Sequence, residues 1–216
     1  MEGGLIARFH SGGFFMWPIL VCALIVIAIS AERYWYLYRV VSEDKLGLLK
    51  RINEHVLKGD LQGAIRFLDS QKQGPLSRVL KAGLLKAHRS EKEVQAALDE
   101  ASLREVPHID KRVGFLAVLS NGATLVGLLG TINGMIGCFA AVANVDPASK
   151  ATILAEGISE AMNCTAFGLL TAIPALFIFG ILQARAQHVQ DEINECIVSE
   201  MNLVLATKKG GAAAAK

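Results

Sequence analysis

Two threonines and a glutamate stand where hydrocarbon is expected. Thr131 lies in the apolar stretch GLLGTINGMIGCF, and Thr165 and Glu160 lie in EGISEAMNCTAFGLLTAIPALFIFG. A carboxylate can take up and release a proton, and a hydroxyl can both donate and accept a hydrogen bond. Groups of that kind at membrane depth are costly, at least ~2.5 kcal/mol for a charge, and mark a functional site by default. Threonine cannot hold an ionic charge near neutral pH. If these groups line an ion path, Glu160 is the only titratable acid the chain supplies to it, and it stands near one end. A relay then needs a second carboxylate near the middle, and that group must come from a partner. The plainer reading is that each threonine bonds back to a carbonyl of its own helix.

The faces around these residues support a built surface. At about 100° per residue, Gly127, Gly130, Gly134 and Gly137 fall on one narrow arc, and Gly130 and Gly134 form a GxxxG pair. Ser120, Thr124, Thr131 and Cys138 lie on the adjoining arc, with Leu125, Leu128, Ile132 and Ile136 opposite. In the last apolar stretch Glu160, Ala161, Cys164, Thr165, Gly168, Thr171, Ala172 and Ala175 share one face. Met162, Leu169, Leu170, Ile173 and Phe177 share the other. A glycine stripe lets a second helix backbone approach closely. Pro174 is tolerable in a membrane helix where neighbouring groups take up the freed carbonyl. Asn133 and Asn163 have no assigned role.

These faces need long membrane helices to carry them. The chain has 216 residues, 52% apolar and 19% charged, against about 25% charged in an ordinary soluble domain. Three stretches reach the ~20 residues needed to cross hydrocarbon, and no strand alternation is present. The expected fold is all-α and polytopic, with three transmembrane helices, a helical cytoplasmic domain, and helices two and three extended into the cytoplasm. The expected order is an N-terminal periplasmic segment (1–13), the first span (14–36), the cytoplasmic domain (37–112), the second span (113–143), a periplasmic loop (144–157), the third span (158–183), and a cytoplasmic helix with a disordered low-complexity tail (184–216).

Within the middle domain, Gly59-Asp60, Gly74-Pro75 and Ser90-Glu91-Lys92-Glu93 punctuate successive helices. The last of these helices is expected to run on into the second span, kinked at Pro107. Glu32 and Arg33 begin a charged and aromatic belt at the membrane interface. The middle domain and the tail hold 19 of the 22 Lys and Arg residues. By the positive-inside rule those parts are cytoplasmic and the N-terminus is outside.

Cys22, Cys138, Cys164 and Cys196 share no motif spacing, so neither a disulfide framework nor a metal site is expected. The five histidines lie outside the spans, and no second acid pairs with Glu160. An intramembrane enzyme is therefore not expected. The net charge of +2 gives no reason to expect nucleic acid.

GLLGTINGMIGCF (127–139) followed by GISEAMNCTAFGLLTAIPA (157–175) resembles the MotA/TolQ/ExbB proton-channel family. PILVCALIVIAISAERYWYL (18–37) resembles that family's first span. The resemblance implies that Thr131, Thr165 and Glu160 match the family's pore residues, with Thr171 an added hydroxyl. It implies no cofactor, a translocated proton, and a homopentamer in a bacterial inner membrane. It also implies a single-span ExbD/TolR-like dimer in the central pore, whose aspartate supplies the missing carboxylate, and in some settings a TonB/TolA-like third component. Membrane lipids surround the ring. The rival expectation is a scaffold that assembles a partner complex through its glycine-rich helices. The residues do not distinguish nutrient uptake, envelope maintenance and surface motility as the energised task.

Overall fold

The computed structural model describes Phe9 and residues 12–41, 43–71, 74–143 and 145–214, with side chains as far as Ala206. The described residues are mostly helical, with no strand among them. The helices are α1 (Met16–Trp35), α2 (Lys45–Leu57), α3 (Leu61–Ser70), α4 (Pro75–Leu85), α5 (Glu91–Asp110), α6 (Val113–Val142) and α7 (Pro147–Ala214). A π-helical turn, Tyr36–Val40, follows α1. Three helical segments, within Met16–Leu57, Glu91–Val142 and Pro147–Ala206, are long and apolar enough to cross a bilayer. The chain divides into two compact units: Met1–Arg33 with Arg112–Ile181, and Tyr34–Lys111 with Leu182–Lys216.

In the first unit only 17–22% of each apolar window is buried. A water-soluble core of that composition would bury most of it, so the exposed leucines and isoleucines suit an apolar surrounding such as lipid. Small residues occupy the buried side instead: Ala123, Ala161, Cys164, Ala172 and Ala175 are all almost fully enclosed. Side chains this small let helix backbones come together where no hydrophobic force drives helices out of lipid.

The second unit obeys the rules of a soluble helical bundle. Its punctuation follows the expected caps. Gly59 takes φ +76° and ends α2, and the Asp60 side chain accepts a hydrogen bond from the Gly63 amide at 2.8 Å. Pro75 occupies the first turn of α4, and Ser90 caps α5. No local signal marks Glu43, which caps α4 from 31 to 34 residues away. One of its oxygens accepts from the amides of Leu76 (2.9 Å) and Ser77 (3.3 Å), and the other from the amide of Gly74 (3.3 Å). The Ser77 hydroxyl also bonds to Glu43. Leu80 and Leu84 of α4 and Val94 and Leu98 of α5 are buried. Each leucine contributes about 1.5–3 kcal/mol on burial.

Three expectations are corrected. The 144–157 loop is mostly helix, because α7 already starts at Pro147. Asp146 precedes a proline whose fixed φ and missing N–H suit the first helical position. The tail expected to be disordered is helical as far as Ala214, where an alanine run continues a helix already nucleated upstream. Finally, α5 does not run on into the second span. Pro107 sits within α5, and the break falls at Lys111–Arg112, where Arg112 adopts a left-handed φ of +62°. A single non-glycine residue in that region is enough to interrupt the helical hydrogen-bond ladder.

Candidate functional site

The site lies where α6 and α7 touch. Glycines bring the helices together: a Cβ added at Gly168 would lie 2.9 Å from the Ala123 carbonyl oxygen and 3.1 Å from the Cα of Gly127. One added at Gly127 would lie 3.1 Å from the Cys164 carbonyl, and one at Gly134 3.2 Å from the Ala161 methyl. Gly130 faces the Cys164 side chain. Gly137 meets nothing within 4 Å and stands outside this contact. Gly157, which the glycine stripe did not include, extends the contact by seating itself on Cys138.

This close approach sets the hydroxyls against one another. The Ser120 hydroxyl donates to the Ala172 carbonyl at 2.7 Å, tying α6 to α7 at a buried point. About three turns along α6 the Thr131 and Thr165 hydroxyls hydrogen-bond to each other. The Thr131 hydroxyl also lies 3.0 Å from the Gly127 carbonyl and 3.4 Å from that of Ala161. The Thr165 hydroxyl lies 3.3 Å from the Gly127 carbonyl. Two hydroxyls carry two protons, so they cannot serve all four contacts at once. One threonine donates to the other, which donates to a carbonyl, and the direction can reverse without moving a heavy atom.

Glu160 stands on α7 toward its start. Its carboxylate lies against Gly13, where any side chain would collide with it, and Gly13 takes the φ of +71° that favours glycine. Glu160 also lines an open depression of about 720 Å³ with Asn133, Gly137, Glu156 and Ser159. Asn133 had no role at the level of sequence, and Glu156 fell in the expected loop. Once residues 147–157 are helical, Glu156 comes one turn before Glu160. Cys164 holds the chain entering α1 through its thiol, 2.9 Å from the Gly12 carbonyl.

Four further expected residues lie elsewhere. Thr171 and Pro174 line an apolar groove of about 360 Å³ with Ile19, Ala23 and Ser30 of α1, not the Thr131–Thr165 cluster. Glu32 and Arg33 pair at 2.8 Å, and Glu32 also accepts from Arg112 at 2.6 Å. Arg112 was not foreseen as a partner, since it lies 80 residues away. Among the described residues no group of three or more His, Cys, Asp or Glu side chains is placed to hold a metal ion.

Three apolar spanning helices with a polar, glycine-packed seam define a multi-pass α-helical membrane protein. The model of the MotA/TolQ/ExbB proton channel family matches residues 71–195, more than half of the chain, and the chain belongs to that family. It is similar to an ExbB-homologue biopolymer transport protein of Methanothermobacter thermautotrophicus, 27% identical over 194 residues, 89% of this chain and 67% of that protein. It is also similar to an ExbB-like biopolymer transport protein of Synechocystis, 28% identical over 203 residues, 93% of this chain and 78% of that protein. A shorter match is to the Tol-Pal system protein TolQ of Pseudomonas aeruginosa, 37% identical over 94 residues, 44% of this chain and 40% of that protein. Within the family the chain is thus of the ExbB/TolQ type.

Proposed function

We propose that the protein is a proton-conducting stator subunit that converts proton motive force into movement of a single-span partner dimer of the ExbD/TolR kind. The activity is transport and not catalysis, and it needs no cofactor. The observation that carries this reading is the Thr131–Thr165 hydroxyl pair on the α6–α7 seam, with the Glu160 carboxylate lining a polar depression further along α7. The pair can relay a proton but cannot store one, so the partner helix supplies the acid that does. In apolar surroundings such an acid has a raised pKa and can load and unload near working pH. One proton crossing 100 mV supplies about 2.3 kcal/mol, enough to bias two packing states of similar energy.

In this reading five copies surround the partner dimer in a bacterial inner membrane. The N-terminus is periplasmic, and residues 37–112 and 184–216 are cytoplasmic. Exposed leucine and isoleucine on α6 and α7 meet neighbouring copies and lipid. The energised process is transport across the outer membrane, envelope maintenance or surface motility, and a TonB/TolA-like component links the motor to it. Proton flux into proteoliposomes, with and without the partner, tests the reading. Flux that needs the partner and is lost in Thr165→Val with an intact oligomer supports it, and unchanged flux in that variant refutes it.

A scaffold reading also has an observation in its favour. The same two hydroxyls bond carbonyls of the helix pair, Gly127 and Ala161, as pure packing would require. Thr131→Val and Thr165→Val variants that both leave partner-dependent activity intact would establish it.

A further inference from the structure

A regular stripe of buried positions runs along the end of α7: Val189, Ile193, Cys196, Glu200 and Val204, at intervals of three and four. Such spacing keeps one helix face on its neighbours. Glu200 breaks the chemistry of the stripe. Its residue surface is 2% exposed, and both carboxyl oxygens are buried with no hydrogen-bond partner among the described residues. The carboxyl occupies a place cleared by a glycine: a Cβ at Gly83 of α4 would lie 2.5 Å from Glu200 Oε1. Leu98 of α5 packs at the same glycine.

Charges that could compensate an ionised Glu200 are engaged elsewhere or lie at the surface. From α4, Arg78 bonds Glu105 and Lys81 bonds Asp69, while Lys86 is exposed. From α5, Glu91, Lys92 and Asp99 line a surface depression beside Met201, and Glu93 and Glu100 are exposed. From α2, Lys45 pairs with Glu195. On α7 itself, Glu192 pairs with His188 at 3.4 Å, and the ionisable group one turn before Glu200 is the Cys196 thiol.

We propose that Glu200 is a proton-operated latch. As a neutral acid it lies buried and holds the last turns of α7 on α4 and α5. When its O–H bond breaks and the proton passes to water, the carboxylate must be solvated and the segment swings free. A lone carboxylate left inside this apolar site would be unpaired and undersolvated. Burial pushes the Glu200 carboxyl well above its usual range, in agreement with that picture. The sign follows: the contribution to folding is fully present below the unfolded carboxyl pKa near 4.5. It is lost as pH rises through the higher native value. The latch stands apart from conduction, because it requires only the packing of one unit.

The test is hydrogen exchange on the full-length protein in lipid nanodiscs from about pH 5.5 to about pH 9, read on amides 193–206 relative to those of α3. After correction for intrinsic rates, relative exchange in the wild type rises with pH, by up to about tenfold per unit for a one-proton opening. In Glu200→Gln it stays flat. Alkylation of Cys196, mapped by peptide mass, gives a second readout, since the ratio of wild-type to Glu200→Gln rates cancels the thiol's own titration. That ratio rises with pH. A flat wild-type exchange profile overturns the latch, and so does an equally steep profile in Glu200→Gln. Should the glutamine variant not assemble, the wild-type profile alone decides.

Discussion

Gly127 and Gly168 face each other across α6 and α7 so closely that a methyl group on Gly168 would stand 3.1 Å from the Cα of Gly127 and 2.9 Å from the Ala123 carbonyl. Both obstacles are backbone, which cannot rotate aside as a side chain can. Gly168→Ala is therefore expected to cost about 1–3 kcal/mol through overpacking and to lower the Tm of the protein in detergent. Gly137→Ala, at a position with open space inside α6, should leave stability unchanged or raise it by up to about 1 kcal/mol, since alanine is the better helix former. Equal Tm values for the two variants would show that the glycine seam does not set the helix spacing.

The Thr131–Thr165 pair separates packing from conduction. A double-mutant cycle with Thr131→Val and Thr165→Val should give a coupling energy of about 0.6 kcal/mol, the average for hydrogen bonds between membrane helices. Partner-dependent proton flux should fall far more, by about tenfold or greater, which corresponds to at least about 1.4 kcal/mol on the barrier. Thr165→Ser, which keeps the hydroxyl, should restore most of the flux. Flux that falls only in proportion to folded protein would count against the relay.

Glu43 is expected to govern α4 from a distance. In Glu43→Ala the amides of Gly74, Leu76 and Ser77 lose their acceptor. The cost should be about 1–2 kcal/mol, the upper part of the range for losing a helix cap. Hydrogen exchange at the first turn of α4 should quicken while α3 is unchanged. Uniform loss of protection across both helices would mean that Glu43 does more than cap.

Cys196 should make the protein alkali-sensitive. Burial pushes its thiol up to about 11 from an unperturbed 9.0. Stability from the buried neutral thiol is complete below pH 9 and lost as pH rises through about 11. Tm should thus fall more steeply between those values in the wild type than in Cys196→Ala. Parallel curves would contradict the assignment.

Some of this was legible in residue order. Caps at Asp60, Gly74-Pro75 and Ser90 are local chemistry within three or four positions, so they could be read directly. The apolar faces of α6 and α7 follow helical period, and Leu125, Ile132, Met162 and Phe177 are indeed exposed. The register of Pro147 was readable in principle, since a proline after an aspartate marks a helix start. The stripe containing Glu200 was also there to be read as a three-four repeat, but an acid within such a stripe ordinarily signals a solvated face.

What the amino-acid order determined by itself was the membrane class, the helical fold, and which faces of the last two spans are small and hydroxyl-bearing. These depend on hydrophobic length and on the period of a single helix, both of which are local. Only the tertiary structure decided that Thr131 meets Thr165 while Thr171 turns to α1, that Arg112 reaches Glu32, that Glu43 caps α4, and that Glu200 sits beside Gly83 without a partner. Each joins residues 31 to 117 positions apart or selects among faces that a helical wheel treats alike. The physical reason is that close packing is a property of two surfaces together, and no helix carries the shape of its neighbour.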